Sequence, residues 1–250
     1  MKWLFAVVAL AVLVCSTPVF AGNKEGLVEH EGVQRDIFAT GKASGVISLQ
    51  SLAARPGLFA IGPIEGLDGE ITIFDSKPYI TQVRGTDWVV DRTFDHGAFF
   101  LVWTERTKWH DLPVPETVKG HLELQRFVKT QALMAGIDVT KPFPFLLAGT
   151  PFEIRWHINV DRTEGKAITR DLFVRSKESF VTKNEAVDII GFYSENHLGV
   201  FIPHHAPGIP EGSDVKNAIH LHFVSRMSKA AGHIDDLDLG EAMVLRLPIP

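Results

Sequence analysis

Alternation between apolar and polar residues predicts that β-strands form most of this 250-residue chain. Over residues 58–83, short alternating runs are separated by the turn-forming segments Asp68-Gly69 and Asp75-Ser76-Lys77-Pro78, which is typical of a meander of antiparallel strands. The β pattern continues over 88–103, bends at His96-Gly97 and ends in an apolar run that suits a central strand.

Helical periodicity is confined to two stretches. An imperfect apolar stripe over 43–54, ended by Pro56-Gly57, predicts a short helix. A longer amphipathic helix is predicted over 117–135 and ends at Gly136. Its predicted inward-facing residues are Val118, Leu122, Phe127, Val128, Leu133 and Met134. With many strands and few helices, the chain is expected to be a strand-rich α+β protein, with a lobe boundary near Lys141-Pro142-Phe143-Pro144 that separates residues 22–142 from 143–250.

The first 21 residues have the features of a secretory signal peptide: Lys2, an apolar run over 3–14 and a small exit residue, Ala21. We expect cleavage after Ala21 and a secreted or periplasmic protein. Cys15, the only cysteine, lies inside this segment. A lipid anchor on Cys15 is the alternative, although Val14 is bulky for such a processing site. Nothing downstream is apolar enough to span a membrane.

Removal of Lys2 with the signal peptide would leave 24 of the 25 basic residues against 30 acidic ones, so the net charge changes from −5 to −6. This mild acidity, without a basic cluster, argues against nucleic acid as a partner.

The most informative stretch is Asn217-Ala218-Ile219-His220-Leu221-His222-Phe223. In a strand, His220 and His222 point to one face while Ile219, Leu221 and Phe223 point to the other. His233 follows after a flexible segment that a hairpin return could close. Three imidazoles without a fourth protein ligand are typical of a catalytic zinc site with an open position. The alternative is three exposed histidines on one hairpin.

Other polar residues are weaker candidates from the pattern alone. Glu70 opens a strand and shares a face with Thr72, but an acid after a tight turn is usually solvated. Arg155, His157 and Asn159 share one face of the strand predicted around 153–160, which suits a pocket wall and equally an exposed sheet face.

A further group of histidines lies outside the predicted strands. His96 stands alone beside a turn, where a surface or capping role is more usual than metal binding. The loop-rich segment 196–217 contains His197, His204 and His205 and is long enough to form a lid or rim. His204 and His205 are adjacent, which makes them poor joint ligands.

Three segments make the chain similar to the α-acetolactate decarboxylase family over about residues 40–247. They are Gly66-Leu67-Asp68-Gly69-Glu70 with the following strand, Ile190-Gly191-Phe192, and His220-Leu221-His222-Phe223 with Gly232-His233. The resemblance implies two packed sheet domains around a buried site and one zinc ion held by His220, His222 and His233. It also implies conversion of 2-acetolactate to acetoin and carbon dioxide, with Glu70 as the acid/base that handles the proton.

Two departures suggest a divergent, shortened member. The family's mid-chain arginine falls near His157, and Arg155 lies on the same predicted face, so either is a candidate to bind the substrate. The family's second glutamate lies in a C-terminal tail, and this sequence stops at Pro250. The leading hypothesis is an exported zinc lyase for a small 2-hydroxy-3-oxo acid, with homodimer formation left open. The alternatives are a zinc hydrolase of esters or lactones and a non-catalytic metal-binding or small-ligand-binding protein.

Overall fold

The computed structural model describes residues 22–204, 206–210 and 212–249. The predicted signal peptide over residues 1–21, with Cys15, lies outside the described residues, as does His205. Cleavage after Ala21 therefore stays a prediction.

The first nine strands lie before residue 106. They are β1 Asn23–Glu25, β2 Val28–Glu31, β3 Ile47–Ser48, β4 Leu58–Pro63, β5 Glu70–Phe74, β6 Lys77–Arg84, β7 Asp87–Asp91, β8 Gly97–Ala98 and β9 Leu101–Glu105. Seven of them form an antiparallel sheet in the order β1-β2-β9-β4-β5-β6-β7, and β3 pairs with β8. The predicted meander over 58–83 is confirmed as β4, β5 and β6. Asp75 and Ser76, both at positive φ, form the tight turn between β5 and β6.

Eight further strands form a second antiparallel sheet. They are β10 Trp109–Pro113, β11 Phe143–Gly149, β12 Glu153–Asn159, β13 Lys177–Lys183, β14 Val187–Tyr193, β15 Ile219–Ser225, β16 Ala231–Asp238 and β17 Val244–Pro248. Their order is β10-β17-β11-β14-β15-β16-β12-β13. Strand β13 follows a charged stretch over residues 161–175 and was not predicted. The chain changes sheets between Glu105 and Trp109, while the lobe boundary near residue 142 stays a prediction.

The described helices are α1 Asp36–Thr40, α2 His121–Met134 and α3 Arg170–Arg175, with short 3-10 turns at Leu49–Leu52 and Glu65–Leu67. The strand-rich α+β class is confirmed. The helix predicted over 43–54 was wrong, because Ile47 and Ser48 pair with β8 instead. All helices among the described residues are too short or too polar to span a bilayer.

Helix α2 was predicted correctly in place but not in orientation. Leu133 and Met134, predicted to face inward, are 55% and 76% exposed. The buried residues are His121, Leu124, Gln125, Val128 and Ala132. The apolar stripe of this helix is therefore displaced around its axis from the predicted one.

Strand β5 lies against β15 and β16 of the second sheet. Its alternation places Ile71 and Ile73 in the apolar core of the first sheet, while Glu70 and Thr72 take the opposite face. The buried polar face of β5 therefore meets the second sheet, and this meeting creates the site described below.

Strand β16 contains a β-bulge where it pairs with β12. Arg155 lies opposite Asp236 and Trp156 lies opposite Ile234, which leaves Asp235 as the extra residue. Both aspartates therefore reach polar residues of β12: Asp235 contacts His157, and Asp236 contacts Arg155.

Candidate metal and catalytic site

The three histidines predicted as metal ligands converge. His220 and His222 share a face of β15, and His222 lies directly opposite His233 on β16. His220 Nε2 lies 3.0 Å from His233 Nδ1. One ring nitrogen from each residue lies within 4.8 Å of the other two. The predicted hairpin return, which brings His233 back beside the other two histidines, is therefore confirmed. The side chains of His220 and His222 are buried rather than exposed.

Neighbouring groups orient these rings. His220 Nδ1 donates a hydrogen bond to the Phe201 carbonyl at 2.7 Å, and His222 Nδ1 lies 2.9 Å from Thr72 Oγ1. His220 Nε2 and His222 Nε2 are thereby left to face the other rings. Metal-bound histidines are usually held in this way through the second ring nitrogen.

The donor set fits a divalent metal ion. His222 Nε2 is buried without a hydrogen-bond partner among the described residues, an arrangement that is unfavourable unless a ligand occupies the position. Burial lowers the pKa of His220 to about 3 and holds the pKa of His222 and His233 well below the ordinary value. All three rings are therefore neutral near pH 7 and have lone pairs to donate.

Glu70 lies across from the histidines at the start of β5. The preceding Gly69 has a φ of 140°, and a Cβ there would meet the Thr81 carbonyl oxygen at 2.3 Å, so the entry into β5 requires glycine. Asn159 Nδ2 donates to Glu70 Oε1 at 2.6 Å, and His222 Nε2 lies 3.7 Å from Glu70 Oε2. Burial raises the pKa of Glu70 well above the ordinary value, which favours a carboxyl group that can carry a proton.

His157 joins this group through a second carboxylate. Its Nδ1 donates to Asp235 at 2.9 Å, and its Nε2 lies 3.8 Å from Glu70 Oε1. Burial lowers the pKa of His157 to about 4. His157, His233 and Asp235 form a second cluster with metal-binding potential that shares His233 with the first.

Arg155 shares the cavity-lining face of β12 with His157 and Asn159, but its guanidinium is already paired. Its side chain is 52% exposed and bonds Glu153 and Asp236. Its assignment as a substrate-binding residue stays a prediction, and the structure does not bring it into contact with Glu70.

Sequence reasoning missed Lys177, the first residue of β13. Lys177 lies opposite Asn159 and lines the same cavity. Burial lowers the pKa of Lys177 below its ordinary value, although the negative charges of Asp235 and Glu70 act in the opposite direction. The alternation of Lys177, Ser179 and Val181 could have placed it on the pocket side of a strand, had β13 been recognised after the charged stretch.

Two of the other histidines singled out in the sequence have local partners. His197 bonds Ser194 and Glu25, and His96 bonds Asp91. His204 lines the cavity next to the histidine cluster, in agreement with a rim position for this part of the loop.

The cavity itself encloses about 500 Å³. Its polar lining includes Glu70, His157, Lys177, His220 and His233. The arrangement can bind a metal ion, position an anionic small molecule beside Lys177 and exchange a proton at Glu70.

A family model described as alpha-acetolactate decarboxylase matches residues 35–247. The chain belongs to the α-acetolactate decarboxylase family. The resemblance proposed from the sequence is therefore confirmed, and a carboxy-lyase activity of the acetolactate decarboxylase kind is supported. No curated protein matches the chain.

Solved structures share the fold of this family member. The α-acetolactate decarboxylase from Bacillus subtilis strain 168 superposes with a TM-score of 0.65 at 18% identity, over 88% of this chain and 85% of the other. The enzyme from Bacillus subtilis subspecies spizizenii gives a TM-score of 0.66 at 18% identity, over 88% and 85%. A Staphylococcus aureus protein of unknown function, described as similar to alpha-acetolactate decarboxylase, gives 0.68 at 15% identity, over 88% and 84%.

The contact between Thr72 and His222 predicts a measurable effect on metal binding. Thr72→Val removes the hydroxyl that orients His222, so zinc affinity should fall about 10–100-fold, as measured by competition with a chromogenic chelator. Thr81→Val is the matched control, because the Thr81 hydroxyl is buried without a hydrogen-bond partner among the described residues. Equal affinities for Thr72→Val and the unmodified chain would contradict this role.

Proposed function

We propose that this protein is an exported, zinc-dependent carboxy-lyase that converts 2-acetolactate, or a related 2-hydroxy-3-oxo acid, to a hydroxyketone and carbon dioxide. The observation that carries the proposal is the convergence of His220, His222 and His233 beside the buried Glu70 in one cavity. Family membership over residues 35–247 supports the reaction class.

His220, His222 and His233 would hold the zinc ion. When bound there, zinc would supply Lewis-acid polarisation of the ketone and hydroxyl oxygens of the substrate. During the reaction the bond between C2 and the carboxylate carbon breaks, its electron pair forms an enediolate, and carbon dioxide leaves. A proton must then be added to C2.

Glu70 is the group that supplies this proton. Its raised pKa favours the protonated form, and Asn159 fixes one of its oxygens at 2.6 Å. General acid–base groups work best when they are held in place and their pKa lies near the working pH. Burial of Glu70 between the two sheets raises its pKa from the ordinary carboxyl value, and the hydrogen bond from Asn159 holds the carboxyl group in place.

Lys177 is the cation that attracts and orients the substrate carboxylate. It lines the cavity, and its charge acts on both Glu70 and Asp235. An ammonium group in a partly buried cavity attracts an anion more strongly than one in open water. This chain therefore has a cation at the site although Arg155 is paired with other carboxylates.

A second candidate function is zinc-dependent hydrolysis of an ester or lactone. It is favoured by the bond between His157 and Asp235, which leaves His157 Nε2 directed toward Glu70 and the cavity. A histidine held in one tautomer by a carboxylate is a common general base for activating water.

The zinc-loaded full chain should release acetoin from racemic 2-acetolactate. His222→Ala should abolish this activity, since it removes a buried ligand, whereas His110→Ala on the exposed face of β10 should not. Chelation should remove the activity, and added zinc should restore it. Acetoin release no higher than that of His222→Ala would disprove the substrate assignment, and chelator-sensitive ester turnover would then favour the hydrolase.

Glu70→Gln should lower kcat by about 10²–10⁴-fold, because the amide keeps the shape of the side chain and loses the transferable proton. Zinc content, measured on the same sample, should be unchanged. Glu65→Gln is the matched control, since Glu65 is exposed five residues earlier. A kcat for Glu70→Gln equal to that of the control would exclude the proton-transfer role.

Lys177→Met should raise KM for 2-acetolactate about tenfold or more, because a charge-assisted contact to the carboxylate is lost. The effect of this substitution on kcat should be smaller than its effect on KM. Lys183→Met serves as the control, since Lys183 lies on the same strand but is exposed and pairs with Glu153. If both variants have the same KM, Lys177 does not bind the substrate.

A further inference from the structure

The cavity is larger and more apolar than 2-acetolactate requires. Its volume of about 500 Å³ lies in the range of about 300–1,000 Å³ that holds drug-sized ligands. The apolar substituents of 2-acetolactate are methyl groups only. Such a substrate would leave most of the apolar lining in contact with water.

One apolar part of the lining is an aromatic corner formed by Phe38 of α1 and Phe173 of α3. Their ring centroids are 5.6 Å apart at an interplanar angle of 88°, and both side chains are only partly buried. Arg170 lies over the Phe38 ring at 5.1 Å. An edge-to-face pair left open on one side presents ring surface to which a third ring or a branched alkyl group can pack.

The cavity lining also contains two exposed valines. Val174 and Val181 are 68% and 55% exposed, and both line the same cavity. Val181 shares a face of β13 with Lys177 and Ser179. Exposed apolar side chains that are grouped in a concave site, rather than scattered, mark a surface that a ligand covers.

Lys177 joins the apolar and polar parts of the cavity. Its Nζ lies 5.6 Å from the centroid of the Phe173 ring, and its charge acts on Glu70. A substrate whose carboxylate meets Lys177 therefore has the aromatic corner beside it and the histidine cluster within the same cavity.

We propose that the preferred substrate is a 2-hydroxy-3-oxo acid in which an aromatic or branched alkyl group replaces one of the methyl groups of 2-acetolactate. This inference rests on the proposed function and specifies its substrate class. The added group packs against Phe38 and Phe173 and takes no part in the bond changes. The C2–carboxylate bond still breaks, its electron pair forms the enediolate, carbon dioxide leaves and a proton adds to C2.

The test compares carbon dioxide release from 2-acetolactate with release from the two analogues in which phenyl replaces either methyl group. With zinc-loaded protein, at least one phenyl analogue should have a kcat/KM about tenfold higher than that of 2-acetolactate. Phe38→Ala, which removes one ring of the corner, should abolish this preference. Phe152→Ala is the matched control, because Phe152 is a 45% exposed phenylalanine away from the cavity lining. It should keep the preference.

Binding is measured separately by the rise in Tm caused by each product ketone. The phenyl ketones should raise the Tm more than acetoin does, and Phe38→Ala should remove the difference. Turnover of 2-acetolactate in preference to both phenyl analogues would overturn this inference and leave the proposed function intact. Stabilisation by the phenyl ketones without carbon dioxide release from any acid would refute the proposed reaction and support the aromatic corner as a ligand site. If the protein shows no turnover of any acid and no stabilisation by any ketone, both the proposed function and this inference are overturned.

Discussion

Burying four imidazoles and a carboxyl group between two sheets is unfavourable unless their polar atoms gain partners. In this protein the partners come from neighbouring strands and one loop. They are Thr72, Asn159, the Phe201 carbonyl and Asp235. Each contact gives a partner to one polar atom of a buried side chain. The remaining ring nitrogens and carboxyl oxygen face one another. His222 Nε2, which has no hydrogen-bond partner among the described residues, marks the position that a bound metal ion would fill.

The same constraint explains why the site needs both sheets. Glu70 and Thr72 belong to the first sheet, whereas the histidines belong to the second. Apolar cores on the outer faces of the strands, with Ile71 and Ile73 on one side and Leu221 and Phe223 on the other, fix the distance between them. Close-packed interiors do not slide freely. Glu70 Oε2 is thereby held 3.7 Å from His222 Nε2 without a covalent link.

Much of this arrangement was predictable from local pattern. Strand parity placed His220 with His222, and the flexible return brought His233 opposite them, because a period of two is imposed by the backbone itself. The contact between Glu70 and Asn159 was not predictable, since it depends on how two sheets pack across 89 residues of sequence. The helix predicted over 43–54 failed because the pairing of β3 with β8 overrode a weak periodicity. Lys177 was missed because the charged residues around it obscured the alternation of β13. The other face of this strand packs on Trp156 through Phe180.

The bulge on β16 adds a carboxylate to the site without changing the alignment of the strand. Because Asp235 is the extra residue, Ile234 and Asp236 pair with Trp156 and Arg155 on either side of it. Deleting Asp235 would make these two residues consecutive, so the pairing would become regular while His233 and Leu237 kept their faces. The loss would be the carboxylate that accepts the hydrogen bond from His157 Nδ1. A shortened β16 would therefore keep its three-histidine cluster and leave the orientation of His157 unsupported.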